Sequence, residues 1–348
     1  MQKLYSLQGL RFLAFILIFC EHAGGILWKT KYMSFGSRGV EIFFVLSGFL
    51  VAYNYRDSNI AYNLKASFFY MLSKLRKFYA LHIIIFLIIL FSMERHGFHY
   101  VSGIIGFIRD VFLNITLLQS WYDPSKFTFN GVTWFLSCIV FAYFCVPFIV
   151  HFFKKNRGGY WIISLLIILL LKITLDTCGY KMGLNPWPGV FGWYCNPIYR
   201  LLDFLIGYTG FLALNYFTWK PSTKVASVIQ CLILGSYFMA CHLFDKYWIP
   251  ALYIFFSLLL IYCFTIPNGV FDKIFGNKIL VHFGNISFEL FILHQFIINN
   301  MNGILWKAIG NHRSLVFIGC FLITWVLAEF FYWSPVKTFL TKTIWGRS

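Results

Sequence analysis

The 348-residue chain is poor in charge: only 12% of its residues are Asp, Glu, Lys or Arg, about half the share usual in a soluble domain. Acidic residues are scarcest, 12 against 29 basic ones. The nine cysteines form no C-x-x-C and no Cys/His cluster with zinc spacing, so no structural metal is expected. No stretch alternates polar and apolar residues for long, which excludes the strands of a membrane β-barrel. No repeat period, low-complexity tract or long polar connection leaves room for a second, soluble domain. The first apolar segment is followed by no A-x-A site and carries Glu21 and His22, which a cleaved signal peptide would not tolerate.

Apolar runs fill the space these absences leave. Hydrophobic residues make up 59% of the chain, and its mean hydropathy is +0.72. Several runs approach the ~20 residues that cross a bilayer. The expected fold is an all-α, polytopic integral membrane bundle of about ten transmembrane helices, one domain over residues 1–348, with both termini cytoplasmic. The spans are expected near 7–28, 38–55, 77–93, 130–153, 159–176, 197–218, 224–243, 248–266, 281–302 and 313–333. Arg109, Asp110, Asn114 and Thr116 interrupt segment 101–119, which reads as an interfacial or re-entrant helix. An eleventh span there would move Lys154, Lys155 and Arg157 to the outer side, against the positive-inside rule. The net charge of +17 fits loop topology and contact with anionic headgroups; no nucleic-acid partner is expected.

The chemistry stands out in the first span, LRFLAFILIFCEHAGG (residues 10–25). Arg11 and His22 are eleven steps apart, about three helical turns plus ~20°, so both lie on one face, ~16 Å apart along the axis. Ionisable groups at such depth are costly and usually functional. Histidine suits a general base for a hydroxyl group. A carboxylate such as Glu21 can orient it, and an arginine can bind an anionic donor. A long, thin donor entering at Arg11 would present its reactive end near His22, as the pantetheine arm of coenzyme A could. This layout points to acyl transfer, with His22, Glu21 and Arg11 as the catalytic set. No bound cofactor is expected; a coenzyme A thioester would be a substrate.

At these residues the sequence resembles the acyltransferase-3 family of membrane O-acyltransferases. Arg11 and His22 fit the family's Arg, ten residues, His pattern. GVEIFFVLSGFL (39–50), TWFLSCIVFAYF (133–144), NPIYRLLDFLIG (196–207) and GNISFELFILHQ (284–295) resemble its later motifs in order. The resemblance implies O-acetylation of a bacterial surface polysaccharide at the inner membrane, with acetyl-CoA as the donor substrate, a surface or lipid-linked glycan as acceptor and the bilayer as surroundings. It raises Lys74, Arg76 and Lys77 to donor-phosphate candidates beside Arg11, although KLRKFYALH stands where many members have R-x-x-R. Ile139 stands where many members carry a glutamate, so a role for that carboxylate cannot be carried over.

Glu41, Ser47, Trp134, Arg200 and His294 are candidate cavity-lining residues. For each a plainer reading stands beside the functional one, Trp134 being placed near a span end as an aromatic belt would be. Glu41 either faces His22 or pairs with a neighbour such as Arg38. Ser47 and Gly48 permit close helix packing. Arg200 and Asp203 form an i,i+3 ion pair. His294 makes a packing hydrogen bond. Cys178 and Cys195 fall in one aromatic-rich loop, 178–196, which is either an acceptor site or an interfacial cap; the two could pair if that loop is periplasmic. Two other readings are a glycan or acyl-group transporter and a non-catalytic scaffold. Paired, broken halves would mark the transporter, and the sequence has none.

Overall fold

The computed structural model describes residues 4–27, 35–95, 103–155, 160–181, 193–214, 221–243, 250–266, 269–310 and 312–334. Among them every regular element is helical: α1 (Tyr5–Leu27), α2 (Gly36–Tyr55), α3 (Leu64–Leu75), α4 (Tyr79–Arg95), α5 (Gly103–Ile115), α6 (Trp134–Lys155), α7 (Tyr160–Lys181), α8 (Pro197–Leu214), α9 (Thr223–Leu243), α10 (Pro250–Cys263), α11 (Val270–Phe275), α12 (Lys278–Asn285), α13 (Ser287–Ile309) and α14 (Arg313–Trp333). In hydrocarbon a backbone must satisfy its own polar groups, and a helix does so within one segment.

Seven of these helices are long and apolar enough to span a membrane, and two bent pairs raise the number to nine. Helices α3 and α4 meet at 67°, and α12 and α13 meet at 66°. The expected single span at 281–302 is therefore broken. Ile286, at φ −92° and ψ 9°, leaves the helical region and turns the chain there. Helix α10 has 14 residues, about 21 Å of rise against a ~30 Å hydrocarbon layer.

Helix α2 is the centre of the bundle, 83% buried, and packs against α1, α6, α8 and α10. Its closest neighbour is α8. A Cβ on Gly48 would collide with the Phe204 carbonyl, and one on Gly207 would collide with the Val45 carbonyl. Two glycines, one on each helix, thus let the backbones touch, as small residues do between membrane helices. Helices α7, α9 and α14 are only 11%, 22% and 28% buried and form the outer, lipid-facing layer.

Helix α5, 13 residues long, is too short to span. Ile104, Ile105, Ile108 and Phe112 are exposed, while Gly106, Asp110 and Asn114 face inward. This inverted amphipathicity suits a helix lying against lipid with its polar face on protein. Ser125 donates to Asp110, and Asn114 donates to Thr128 Oγ1 at 2.7 Å, so α5 anchors the connection 117–133. That connection is tightly set. Leu117 and Phe129 take left-handed φ of 55° and 57°, uncommon for bulky side chains. Gln119 donates to the Thr133 carbonyl, Ser120 to the Trp134 carbonyl, and Asn130 to the Ile292 carbonyl on α13.

Candidate active site

Two cavities flank α1, one at each end. The first, about 470 Å³, is lined by residues from the N-terminal part of α1, the C-terminal part of α2, the α3–α4 elbow, α6 and α12. Its charged lining residues are Arg11, Lys74 and Lys77, all basic. The α3–α4 bend falls at residues 76–78 and brings Lys74 and Lys77 to this cavity. Lys74 donates to Tyr55 Oη at 3.0 Å, and Arg11 donates to Gln8 Oε1 at 3.2 Å. Ser47 and Tyr143 form part of the wall, and Ser47 donates back to the Phe43 carbonyl at 2.7 Å. Three cations with no carboxylate among the lining residues make a site for a multiply charged anion. Arg76, expected beside them, serves as the C-cap of α3 and is not among the lining residues.

The second cavity, about 310 Å³, lies at the other end of α1. Glu21 and His22 line it with Gly36, Ser37 and Val40 of α2. The connection 117–133 adds Phe127 and Phe129, and Trp134, Tyr194, Phe291, Gln295 and Asn299 complete the wall. Ser47 in the first cavity and Val40 in the second are seven residues apart on α2, about 10 Å. Between them Phe43 packs edge-on to Phe135 at 6.0 Å, and Phe135 packs on Phe291 at 5.1 Å. An aromatic septum separates the cavities.

His22 Nδ1 and His294 Nε2 stand 2.7 Å apart. The two rings are within 15° of parallel, and their centroids are 4.9 Å apart. The centroid separation is the N···N distance plus about two ring radii, so the bond lies in both ring planes, as a good imidazole hydrogen bond should. His294 Nδ1 lies 2.6 Å from the Phe291 carbonyl, which can only accept. Nδ1 of His294 therefore carries the hydrogen, and in the neutral ring Nε2 holds the lone pair. His22 must donate from Nδ1, which leaves Nε2 of His22 as its basic nitrogen. Partners of this kind set a histidine's tautomer. His294 is fully buried, whereas His22 is exposed to the cavity. The packing hydrogen bond foreseen for His294 is thus made to His22 itself.

The carboxylates take other places than the sequence suggested. Glu21 accepts from the backbone N–H of Gly36, capping α2 from α1 where Phe35 offers no side-chain cap. The His22 nitrogen that a carboxylate would orient is occupied by His294. Glu41 does not face His22. It is 2% exposed and receives both bonds of a bidentate contact from Arg38 Nη1, at 2.7 and 2.8 Å. Arg38 also lies 3.8 Å from the centre of the Tyr253 ring.

Arg200 sits behind the second cavity's wall rather than among its lining residues. It is 1% exposed, pairs with Asp203 at 2.6 Å, donates to the Tyr194 carbonyl at 2.7 Å and stacks on the Tyr194 ring at 4.1 Å. Sequence reasoning missed Lys172. It is fully buried, 2.7 Å from Asp203 Oδ1 and 3.3 Å from the Tyr199 ring centre. A lysine inside the apolar run LLIILLLKITL was a visible signal of a buried partner. Tyr194 belongs to the loop 178–196 read as an acceptor site or cap; the other missed residues, Phe127, Phe129, Gln295 and Asn299, are uncharged and carried no comparable signal.

Ile139, at the position where many family members have a glutamate, is fully buried in the apolar core. Cys178 and Cys195 are both free: Cys178 lies on α7, not in a loop, and Cys195 accepts through its carbonyl from Cys138 Sγ. Residues 182–192 of the aromatic-rich segment lie outside the described residues.

The ordered cavities give comparisons with known proteins a physical meaning. The family model described as an acyltransferase domain matches residues 4–333, which includes every element that builds both cavities. The chain belongs to the acyltransferase-3 family. It is 25% identical over 337 residues to acyltransferase MdmB of Streptomyces mycarofaciens, covering 90% of this chain and 83% of that protein. No solved structure matches it. With its apolar helices, the chain is a multi-pass membrane acyltransferase.

Proposed function

We propose that this acyltransferase moves an acetyl group from acetyl-CoA to a sugar hydroxyl of a bacterial surface polysaccharide, at the inner membrane. The observation that carries this reading is His22, held through Nδ1 by His294 with its basic Nε2 left for the cavity. The Arg11–Lys74–Lys77 cavity supports a donor rich in phosphates, and its tyrosines offer stacking for a base. The acetyl thioester would reach His22 across the Phe43–Phe135–Phe291 septum. Five aromatic rings with Gln295, Asn299 and Ser37 support a sugar acceptor in the second cavity.

In this mechanism His22 Nε2 takes the acceptor hydroxyl's proton as its oxygen attacks the thioester carbonyl. The tetrahedral species collapses by breaking the C–S bond, and the proton on His22 passes to the departing thiolate. Proton and charge balance within the site, so no further carboxylate is required, which agrees with isoleucine at position 139. The basic residues near the donor cavity support a cytoplasmic position for it, by the positive-inside rule.

The test compares glycan-bound acetyl in cells making the wild type and His22→Ala at matched membrane levels, by NMR of the native glycan. Loss of acetyl with normal export supports the reading, and unchanged acetylation overturns it. A second reading, glycan or acyl-group transport, is favoured by one observation: opposed cavities divided by a septum. It expects the glycan itself to be missing from the surface.

A further inference from the structure

A third cavity, about 210 Å³, lies at the same end of the bundle as the donor cavity and shares no lining residue with it. Its lining comes from the C-terminal ends of α2, α6 and α8 and the first turn of α7: Arg56, Asp57, Lys154, Trp161 and Tyr208 carry its chemistry. We infer that it binds the phosphate of an anionic phospholipid headgroup.

Charge is the first ground. Lys154 bonds to the Asp57 carbonyl at 3.4 Å and to Asn59 Oδ1, both neutral acceptors, so neither contact balances its charge. Arg56 Nε pairs with Asp57 Oδ2 at 3.0 Å, but the Asp57 side chain is 82% exposed, and solvent weakens such a pair. Two cations against one solvated carboxylate leave the cavity net positive. Tyr208 is the second ground. It is fully buried against Phe153, and its hydroxyl has no hydrogen-bond partner among the described residues. Buried hydroxyls normally have one; a phosphate oxygen would supply it.

Position selects a lipid over a soluble anion. Helix α7 is the most exposed of the spanning helices, with Ile163, Leu166, Ile167 and Leu170 facing outward. Trp161, the second residue of α7, marks the interfacial depth at which indoles settle. Basic pockets between helices at this depth suit lipid headgroups. The volume equals about seven waters at ~30 Å³ each, the scale of a phosphodiester.

The experiment uses the full chain in detergent, with thermal unfolding and native mass spectrometry. Phosphatidylglycerol, phosphatidylethanolamine and phosphatidylcholine are added at equal mole fraction, and sodium phosphate separately. Phosphatidylglycerol should raise the midpoint most and stay bound. Arg56→Gln with Lys154→Gln should lower its retention about tenfold or more, since each charged hydrogen bond is strong. Tyr208→Phe covers the case in which the double variant does not fold. It should melt at or above the wild type without lipid, and gain less from phosphatidylglycerol. Equal shifts from all three lipids, or unchanged retention in both variants, would overturn the site. A full shift from sodium phosphate alone would overturn its assignment to lipid.

Discussion

Asp203→Asn is the sharpest test of how this bundle tolerates charge. Five ionic side chains meet beside α2: Arg38, Lys172 and Arg200 against Glu41 and Asp203, every one of them less than 9% exposed. Asp203 pairs with two cations at once, as an ion pair with Lys172 at 2.7 Å and a hydrogen-bonded pair with Arg200 at 2.6 Å. Removing its charge leaves two buried cations facing each other, and the cluster moves from net +1 to +2. Breaking a buried pair from one side costs about 3–5 kcal/mol. Lys172→Met leaves Asp203 still paired by Arg200 and takes one cation from half-buried Asp176, so its expected cost is smaller, about 1–2 kcal/mol. The two changes should also couple: in the Lys172→Met background, Asp203→Asn should cost about 1–3 kcal/mol less than alone. Thermal unfolding in detergent, with membrane yield as a second readout, measures all four proteins. If Asp203→Asn melts with the wild type, or Lys172→Met costs as much as Asp203→Asn, the charge-balance account is wrong.

Three further outcomes follow from the site geometry. His294→Phe keeps the ring volume but removes the acceptor for His22 Nδ1; kcat for acetyl transfer should fall about 10–100-fold with acyl-CoA KM little changed, less than the roughly 10²–10⁴ that a lost base costs, while His294→Asn, whose amide oxygen can accept, should recover part of the loss. Lys74→Gln with Lys77→Gln should raise the KM for acyl-CoA about tenfold or more and flatten its salt dependence, because charge-assisted phosphate contacts are lost; a change confined to kcat would contradict a donor-binding role. Gly48→Ala should cut the folded membrane yield sharply, since α8 backbone occupies the place of the new methyl; Ser37→Ala, at the cavity rim, should leave yield intact.

The membrane class was legible because hydropathy is a local property of a run of residues, and so was the shared face of Arg11 and His22, which helical periodicity dictates. The order of motifs over the whole chain was equally local, and it named the family. Partners within one helix were legible, since the i,i+3 pairs Arg200–Asp203 and Arg38–Glu41 both form; partners on other helices were not. Periodicity says which face of a helix a side chain occupies, but not which helix stands opposite. Glu21 of α1 took the Gly36 N–H of α2 instead of orienting His22, because α1 packs on α2. His22 and His294 are 272 residues apart, and only the packing of α1 on α13 brings their nitrogens together. The bend at residues 76–78 carries no proline or glycine, and Gly284 and Asn285 before Ile286 permit a turn without fixing its angle; packing of the short helices α3 and α12 on α6 and α1 decided both. Sequence alone thus determined a helical membrane acyltransferase whose first span carries reactive groups. Tertiary structure decided that Arg11 and His22 serve two cavities, that an aromatic septum lies between them, and that a second histidine, not a carboxylate, holds the first. The physical reason is that apolar faces can be read one helix at a time, whereas a hydrogen bond between helices exists only once both are in place.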